Sequence, residues 1–79
     1  MNNKNLEIGE RIVLLYMKDK FAPPIGTKGT IIGIDDIGQI HVNWDSGSSL
    51  KLDPTIDKFK KLWQITLILK YYFSNPQYI

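Results

Sequence analysis

The sequence predicts a small all-β protein, an antiparallel barrel of about five strands with an extra C-terminal strand or helix. Short runs of β-branched and large apolar residues recur along the chain, and Gly, Pro and Asp turn signals separate them. The sequence lacks the repeated alternation of strand and helix patterns that would indicate a parallel sheet. The 79 residues suffice for one domain, which excludes most large enzyme architectures.

Composition and charge narrow the class of protein further. Hydrophobic residues make up 43% of the chain and charged residues 23%, which is ordinary for a globular domain. There is no Cys, so a disulfide framework and a thiolate metal site are both excluded. Ten Lys and Arg against 8 Asp and Glu give a net charge of +2, which is weak electrostatic support for phosphate binding.

The N-terminal third contains one predicted strand and one long loop. Residues 1–7 are mostly polar, and we predict a flexible N-terminus there, with the domain spanning residues 8–62. Residues 11–17 are rich in β-branched and large apolar side chains without a helical stripe, so they predict the first strand. Pro23 and Pro24 lack backbone donors and place a long, shaped loop after it.

A hairpin follows. Residues 30–34 and 39–44 predict the second and third strands, and residues 35–38 join them in a turn that needs a positive φ at Gly38. The third strand alternates strictly, so one face is expected in the core and the other in water. The core face carries Ile40, Val42 and Trp44, and the wet face carries Gln39, His41 and Asn43.

The remaining segments are less regular. Residues 48–52 predict a fourth strand, and residues 56–61 suit a single helical turn followed by a short strand. From Trp63 to Phe73 the apolar residues recur with a period of two, which favours a long strand. A helix from Asp57 to Phe73 is the alternative, because a helical stripe fits the same residues.

The C-terminal extension, residues 63–79, is predicted to be an oligomerisation element. A strand with one wholly apolar face needs cover, and a barrel of this size offers little surface for it. We therefore expect a homodimer or an exchange of tails, with packing inside one chain as the alternative. The stretch is too short and too polar for a membrane span. The predicted oligomerisation residues are Trp63, Ile65, Leu67, Leu69, Tyr71 and Phe73.

Two sequence blocks resemble a known family. Residues 26–30 read Gly-Thr-Lys-Gly-Thr, and residues 40–50 read Ile-His-Val-Asn-Trp-Asp-Ser-Gly-Ser-Ser-Leu. With Ile8 to Arg11, they closely resemble a bacterial domain-of-unknown-function family found on plasmids, phages and integrative elements. The resemblance covers residues 8 to about 62 and implies an SH3-like barrel that acts as a binding module, with no established activity. The tail from Trp63 onward departs from the family pattern.

The SH3-like resemblance also implies where a ligand would bind. Such barrels usually bind ligands on the surface formed by the long first loop and the later hairpin turns. For Trp44, the alternative to ligand binding is packing in the core or at the rim of the barrel. For Phe21 and Pro24, the alternative is that they only cover one end of the barrel. The candidate ligand-binding residues are Tyr16, Phe21, Pro23, Pro24, His41, Asn43, Trp44 and Ser48.

Enzymatic chemistry finds little support in the sequence. Asp35 and Asp36 are adjacent and favour a turn rather than an acid/base pair, and His41 is the only histidine. No nucleophile elbow, phosphate-binding loop or metal-ligand spacing is present, so we expect no catalytic residues, no metal and no cofactor.

These observations predict a non-enzymatic binding module of a phage or mobile genetic element. The expected partner is a protein or a small polar, nucleotide-like ligand, and a counter-defence or regulatory role would suit such a protein. The start of the chain lacks the apolar stretch of a secretory signal, so a cytoplasmic location is expected. The alternative is a nucleic-acid-binding barrel that uses Lys51, Lys58, Lys60 and Lys61.

Overall fold

The computed structural model describes residues 6–74, with the side chains of residues 6–67, 69 and 70. A four-stranded antiparallel sheet has the order β3-β2-β1-β4, and one helix follows it, which confirms a small all-β, barrel-like fold. The elements are β1 (Arg11–Tyr16), β2 (Lys28–Ile34), β3 (Ile40–Trp44), β4 (Lys58–Lys61) and α1 (Leu62–Ser74).

After β3 the chain reaches both edges of the sheet. Leu52 forms a single antiparallel bridge with Ile40 on the outer edge of β3. β4 pairs with β1 at the opposite edge, and residues 53–57 connect Leu52 to β4. Asp57 fixes this connection from a buried position: its Oδ1 accepts the N–H of Lys18 at 3.1 Å and its Oδ2 accepts the N–H of Asp53 at 2.9 Å.

The core is built from the buried side chains of the sheet and its connections. The alternation predicted for β3 is confirmed, since Ile40, Val42 and Trp44 are buried while His41 and Asn43 are not. Apolar side chains from every strand fill the remainder. The buried cluster consists of Leu6, Ile12, Leu14, Met17, Ile31, Ile40, Val42, Trp44, Leu52 and Phe59. Leu6, at the end of the predicted flexible N-terminus, is part of this cluster; residues 1–5 lie outside the described residues.

The prediction of a fourth strand at residues 48–52 is wrong. Of these residues, Leu52 alone pairs with β3, through a single bridge. Side chains occupy the backbone groups that a ladder would need. The carbonyl of Leu50 accepts the indole N–H of Trp44 at 2.9 Å, and the N–H of Leu50 donates to Ser48 Oγ at 3.3 Å. Residues 48–51 therefore run beside β3 without forming a ladder with it.

The long strand favoured for Trp63 to Phe73 is also wrong, because α1 covers that stretch. Apolar residues fill so many positions there that a period of two and a period of 3.6 both fit. A local cap favours the helix: Gln64 Oε1 accepts the N–H of Lys61 at 3.1 Å, as the third residue of a helix does in a capping box. The helix starts at Leu62 rather than at Asp57, since residues 58–61 pair with β1.

Candidate functional site

The predicted ligand-binding residues lie at two ends of the sheet and do not form one site. His41 pairs with Gly33 on β2, whereas Tyr16 lies at the far end of β1, beyond the pair between Val13 and Lys28. Gly33 lies five positions after Lys28 on the same strand, about 17 Å away at 3.3 Å per residue. A single small ligand therefore cannot contact both groups.

Trp44 and Pro23 are buried, which corrects their assignment to a ligand surface. The ring of Trp44 is only 2% exposed and packs in the core, as the core-packing alternative predicts. Pro23 is buried while the adjacent Pro24 is exposed. Ser48 is half-buried, and its hydroxyl oxygen accepts a backbone N–H in the turn after β3.

Several of the exposed apolar side chains belong to the end of β1 and the long loop that follows it. We call this area the loop-end surface. Phe21 is 74% exposed and Ile25 is 71% exposed, although both are large apolar residues. Ile25 and Leu15 are not among the predicted ligand-binding residues; the signal for Ile25 is its place between Pro24 and Gly26, in a loop where polar residues are usual. The loop-end surface comprises Leu15, Tyr16, Phe21, Pro24 and Ile25.

Hydrogen bonds hold Phe21 in place. Asp19 Oδ1 accepts the N–H of Phe21 at 2.8 Å, and the carbonyl of Asp19 accepts the N–H of Ala22 at 3.0 Å. The N–H of Lys18 is bonded to the buried carboxylate of Asp57. The turn that carries Phe21 is thus anchored to the connection before β4.

The second half of the loop is held just as firmly. Gly26 donates its N–H to the carbonyl of Leu14 at 2.8 Å, which continues the bonding between β1 and the chain into the residues just before β2. The carbonyl of Pro24 accepts both the N–H of Thr27 at 3.0 Å and its hydroxyl at 2.6 Å. An apolar surface on a fixed backbone loses little conformational entropy on binding.

Lysines surround the loop-end surface. The Nζ of Lys20 lies 5.1 Å from the centroid of the Phe21 ring, a cation–π arrangement. Lys18 is exposed in the same loop, and Lys58 pairs with Tyr16 across β1 and β4. This end of the barrel therefore combines exposed apolar groups with positive charge.

A polar cluster occupies the other end. His41 Nε2 lies 3.0 Å from Asp35 Oδ2, and Lys51 Nζ lies 3.7 Å from the same oxygen. The second oxygen of Asp35 accepts the N–H groups of Ile37 and Gln39, which fixes the turn before β3. Gly38 closes this turn at φ 84°, as predicted. His41 is thus part of a carboxylate-centred network that joins the turn, β3 and the segment before Leu52.

This network predicts acid-sensitive stability. The hydrogen bond from His41, with those from Gln39 and Ile37 and the charge of Lys51, lowers the pKa of Asp35 below its ordinary value of 3.8. The ionised carboxylate therefore stabilises the folded state above that value, and its contribution is lost as the pH falls through the lowered pKa. In urea unfolding, we expect Asp35→Asn to destabilise the protein less at pH 3 than at pH 7. Asp36→Asn, the same change at the adjacent exposed carboxylate, should show no such difference; equal behaviour of the two variants contradicts the assignment.

A groove of about 530 Å³ runs between α1 and the start of β1. Arg11 at its edge is paired with Asp45 through two hydrogen bonds of 2.8 and 2.6 Å, and its Nη1 also reaches Thr30 Oγ1 at 3.0 Å. Asp45 holds the pKa of Arg11 above its ordinary value, and Arg11 lowers the pKa of Asp45. The groove is lined by Glu10, Arg11, Leu62, Trp63, Thr66, Leu67 and Lys70.

The four lysines of the nucleic-acid alternative do not lie together. Lys51 belongs to the Asp35 cluster, and Lys61 Nζ lies 3.1 Å from Glu10 Oε2 with both side chains mostly buried. Lys60 pairs with Val13 in the sheet, so only Lys58 lies beside exposed aromatic side chains. Within the described residues, no group of three or more His, Asp or Glu side chains could hold a metal ion. No helix formed by those residues is long and apolar enough to cross a membrane.

Comparison with known proteins identifies a family and nothing narrower. Neither the curated proteins nor the solved structures gave a match. One family model matches residues 3–62, which include all four strands and end at the first residue of α1. The chain therefore belongs to the family described as domain of unknown function DUF4314.

Proposed function

We propose that this domain is a non-enzymatic binding module that binds a protein partner on the loop-end surface. The observation that carries the proposal is the exposure of Phe21 and Ile25 on a loop whose backbone is held by hydrogen bonds at both ends. Exposed large apolar residues on a fixed loop are typical of recognition surfaces rather than of a mobile linker.

The chemistry of this surface favours a protein over a small polar ligand. A nucleotide-sized ligand needs several polar groups that converge on it. Here the N–H groups of Phe21, Gly26 and Thr27 are already bonded within the loop. The partner we propose is a peptide segment with apolar anchors for Phe21 and Ile25 and acidic residues opposite Lys20.

A single-stranded nucleic acid is the second candidate at the same surface. Tyr16 and Phe21 are exposed aromatic rings, and Lys18, Lys20 and Lys58 lie in the adjoining segments, a combination that can stack bases and attract phosphates. Salt separates the two candidates, because binding through phosphates weakens steeply as salt rises and apolar docking does not.

The experiment is selection from a displayed library of random peptides on the immobilised 79-residue chain, followed by titration of the selected peptide. We expect Phe21→Ser to weaken binding by about tenfold or more, since it removes a large exposed anchor. Ile37→Ser is the matched control: Ile37 is equally exposed but lies in the turn before β3.

Two outcomes contradict the proposal. One is an equal effect of Phe21→Ser and Ile37→Ser on peptide binding. The other is failure to select any peptide while a single-stranded oligonucleotide binds and loses affinity steeply with salt, which establishes the second candidate instead. The setting in a phage or mobile element, a counter-defence or regulatory role and a cytoplasmic location stay predictions that depend on the sequence and its family resemblance.

A further inference from the structure

Among the residues that the structure describes, Asp57 is the one polar or charged residue that is buried, with 7% of it exposed. A buried carboxylate costs free energy unless hydrogen bonds replace its water. Both oxygens are used here: Oδ1 accepts the N–H of Lys18 at 3.1 Å, and Oδ2 accepts the N–H of Asp53 at 2.9 Å. One side chain therefore joins the start of the long loop to the connection before β4.

The bond from Lys18 is the described hydrogen bond that ties the turn carrying Phe21 to the chain outside the loop. The other bonds of this turn are internal. Phe21 donates its N–H to Asp19 Oδ1, and Ala22 donates its N–H to the carbonyl of Asp19. Internal bonds fix the shape of a turn but not its direction relative to the sheet. That direction depends on apolar packing at the ends of the turn and on the carboxylate of Asp57.

The carboxylate itself is held on a firm support. The carbonyl of Asp53 accepts the N–H of Asp57 at 2.7 Å and the N–H of Ile56 at 3.0 Å, so these residues form one turn. β4 begins at the next residue, Lys58, which pairs with Tyr16 of β1. Asp57 is thus attached directly to the sheet and can orient the loop.

We propose that Asp57 is a positioning residue of the loop-end surface, which holds Lys18 and so sets the direction in which Phe21 is presented to a partner. The inference rests on the proposed function for the partner, but the positioning can be measured on the free chain. Asn cannot replace Asp57, because an amide has one acceptor oxygen and its NH2 group would face the second N–H donor. A loop that leaves its binding-competent position binds more weakly in proportion to the population lost.

The test measures ¹⁵N relaxation of the free 79-residue chain and of Asp57→Asn. For residues 18–22 we expect order parameters of about 0.85 in the wild-type chain, as in rigid backbone, and a fall toward about 0.6 in the variant. Asp35→Asn is the matched control, because Asp35 Oδ1 also accepts two backbone N–H groups, those of Ile37 and Gln39, but in the turn before β3. It should leave residues 18–22 rigid.

Titration with the selected peptide extends the test to binding. Asp57→Asn should weaken the peptide by about threefold or more, and Asp35→Asn should not. Both variants lose backbone hydrogen bonds, so a loss of stability alone would not separate them. A loosened loop with unchanged peptide affinity would confirm the positioning role and contradict the proposed function instead.

Two results overturn the positioning role and leave the proposed function in place. One is unchanged order parameters of residues 18–22 in Asp57→Asn, and the other is an equal fall in Asp35→Asn. Hydrogen exchange of the wild-type chain applies even if Asp57→Asn does not fold. The amides of Lys18 and Asp53 should exchange at least about tenfold more slowly than in an unfolded chain. Exchange of the Lys18 amide at the unfolded rate also overturns the proposal.

Discussion

Trp44→Ala is expected to unfold most of the protein. The ring is 2% exposed in the core, and its N–H satisfies the carbonyl of Leu50, so truncation leaves a cavity and an unpaired acceptor. Removal of a buried Trp typically costs about 3–5 kcal/mol. A domain of this size has a total free energy of unfolding of about 4–12 kcal/mol, so little of it would remain. Urea unfolding followed by circular dichroism measures the loss.

Phe21→Ala is the control for this prediction, because it also truncates an aromatic residue of the predicted ligand set. Phe21 is exposed, so its loss should change the free energy of unfolding by no more than about 0.5 kcal/mol. If Trp44→Ala had the same urea midpoint as the wild-type protein, Trp44 would have to be a surface residue, and its assignment to the core would be wrong.

Gly29→Ala is expected to have the second-largest effect. A Cβ at Gly29 would lie 2.6 Å from Val42 Cγ1, 2.8 Å from Trp44 Cε3 and 3.2 Å from the carbonyl oxygen of Asn43. Val42 and Trp44 are core side chains, so they cannot move aside without disturbing their neighbours. Overpacking of this kind costs about 1–3 kcal/mol, and we expect the upper end of that range.

Gly33→Ala provides a matched control on the same strand. No atom lies within 4 Å of a Cβ at Gly33, and its φ is not positive. The same substitution should therefore change stability by no more than about 0.5 kcal/mol. Equal urea midpoints for the two variants would contradict the close approach of β2 to β3 at Gly29.

The hairpin of β2 and β3 could be predicted from sequence because local signals agreed there. Strict alternation in residues 39–44 fixed which side chains face the core, and Asp35 with Gly38 specified the turn. A helical turn and a short strand were predicted within residues 56–61 from the spacing of two apolar residues, and β4 forms the last four of these residues.

Two elements could not be predicted because the pattern of apolar residues does not decide their structure. Residues 48–52 have the pattern of a strand, but the backbone of Leu50 bonds to side chains of Trp44 and Ser48 instead. In α1 nearly every position is apolar, so periodicity does not distinguish helix from strand. Side chains 68 and 71–74 lie outside the described part, so the predicted oligomerisation roles of Tyr71 and Phe73 stay predictions.

The candidate site stays a prediction. Of its residues, Tyr16, Phe21 and Pro24 are exposed at the end of β1 and in the loop that follows. His41 could not be excluded from it by sequence, since only the register of β2 against β3 places it opposite Gly33, toward the other end.

The measurement that tests the proposed function most directly is chemical-shift mapping of the isotope-labelled chain with the selected peptide. We expect the perturbed amides to cluster in residues 15–25, with small changes at His41 and in α1. Perturbations centred on α1 or on the Asp35 cluster, with residues 15–25 unchanged, would contradict the assignment of the loop-end surface as the binding site.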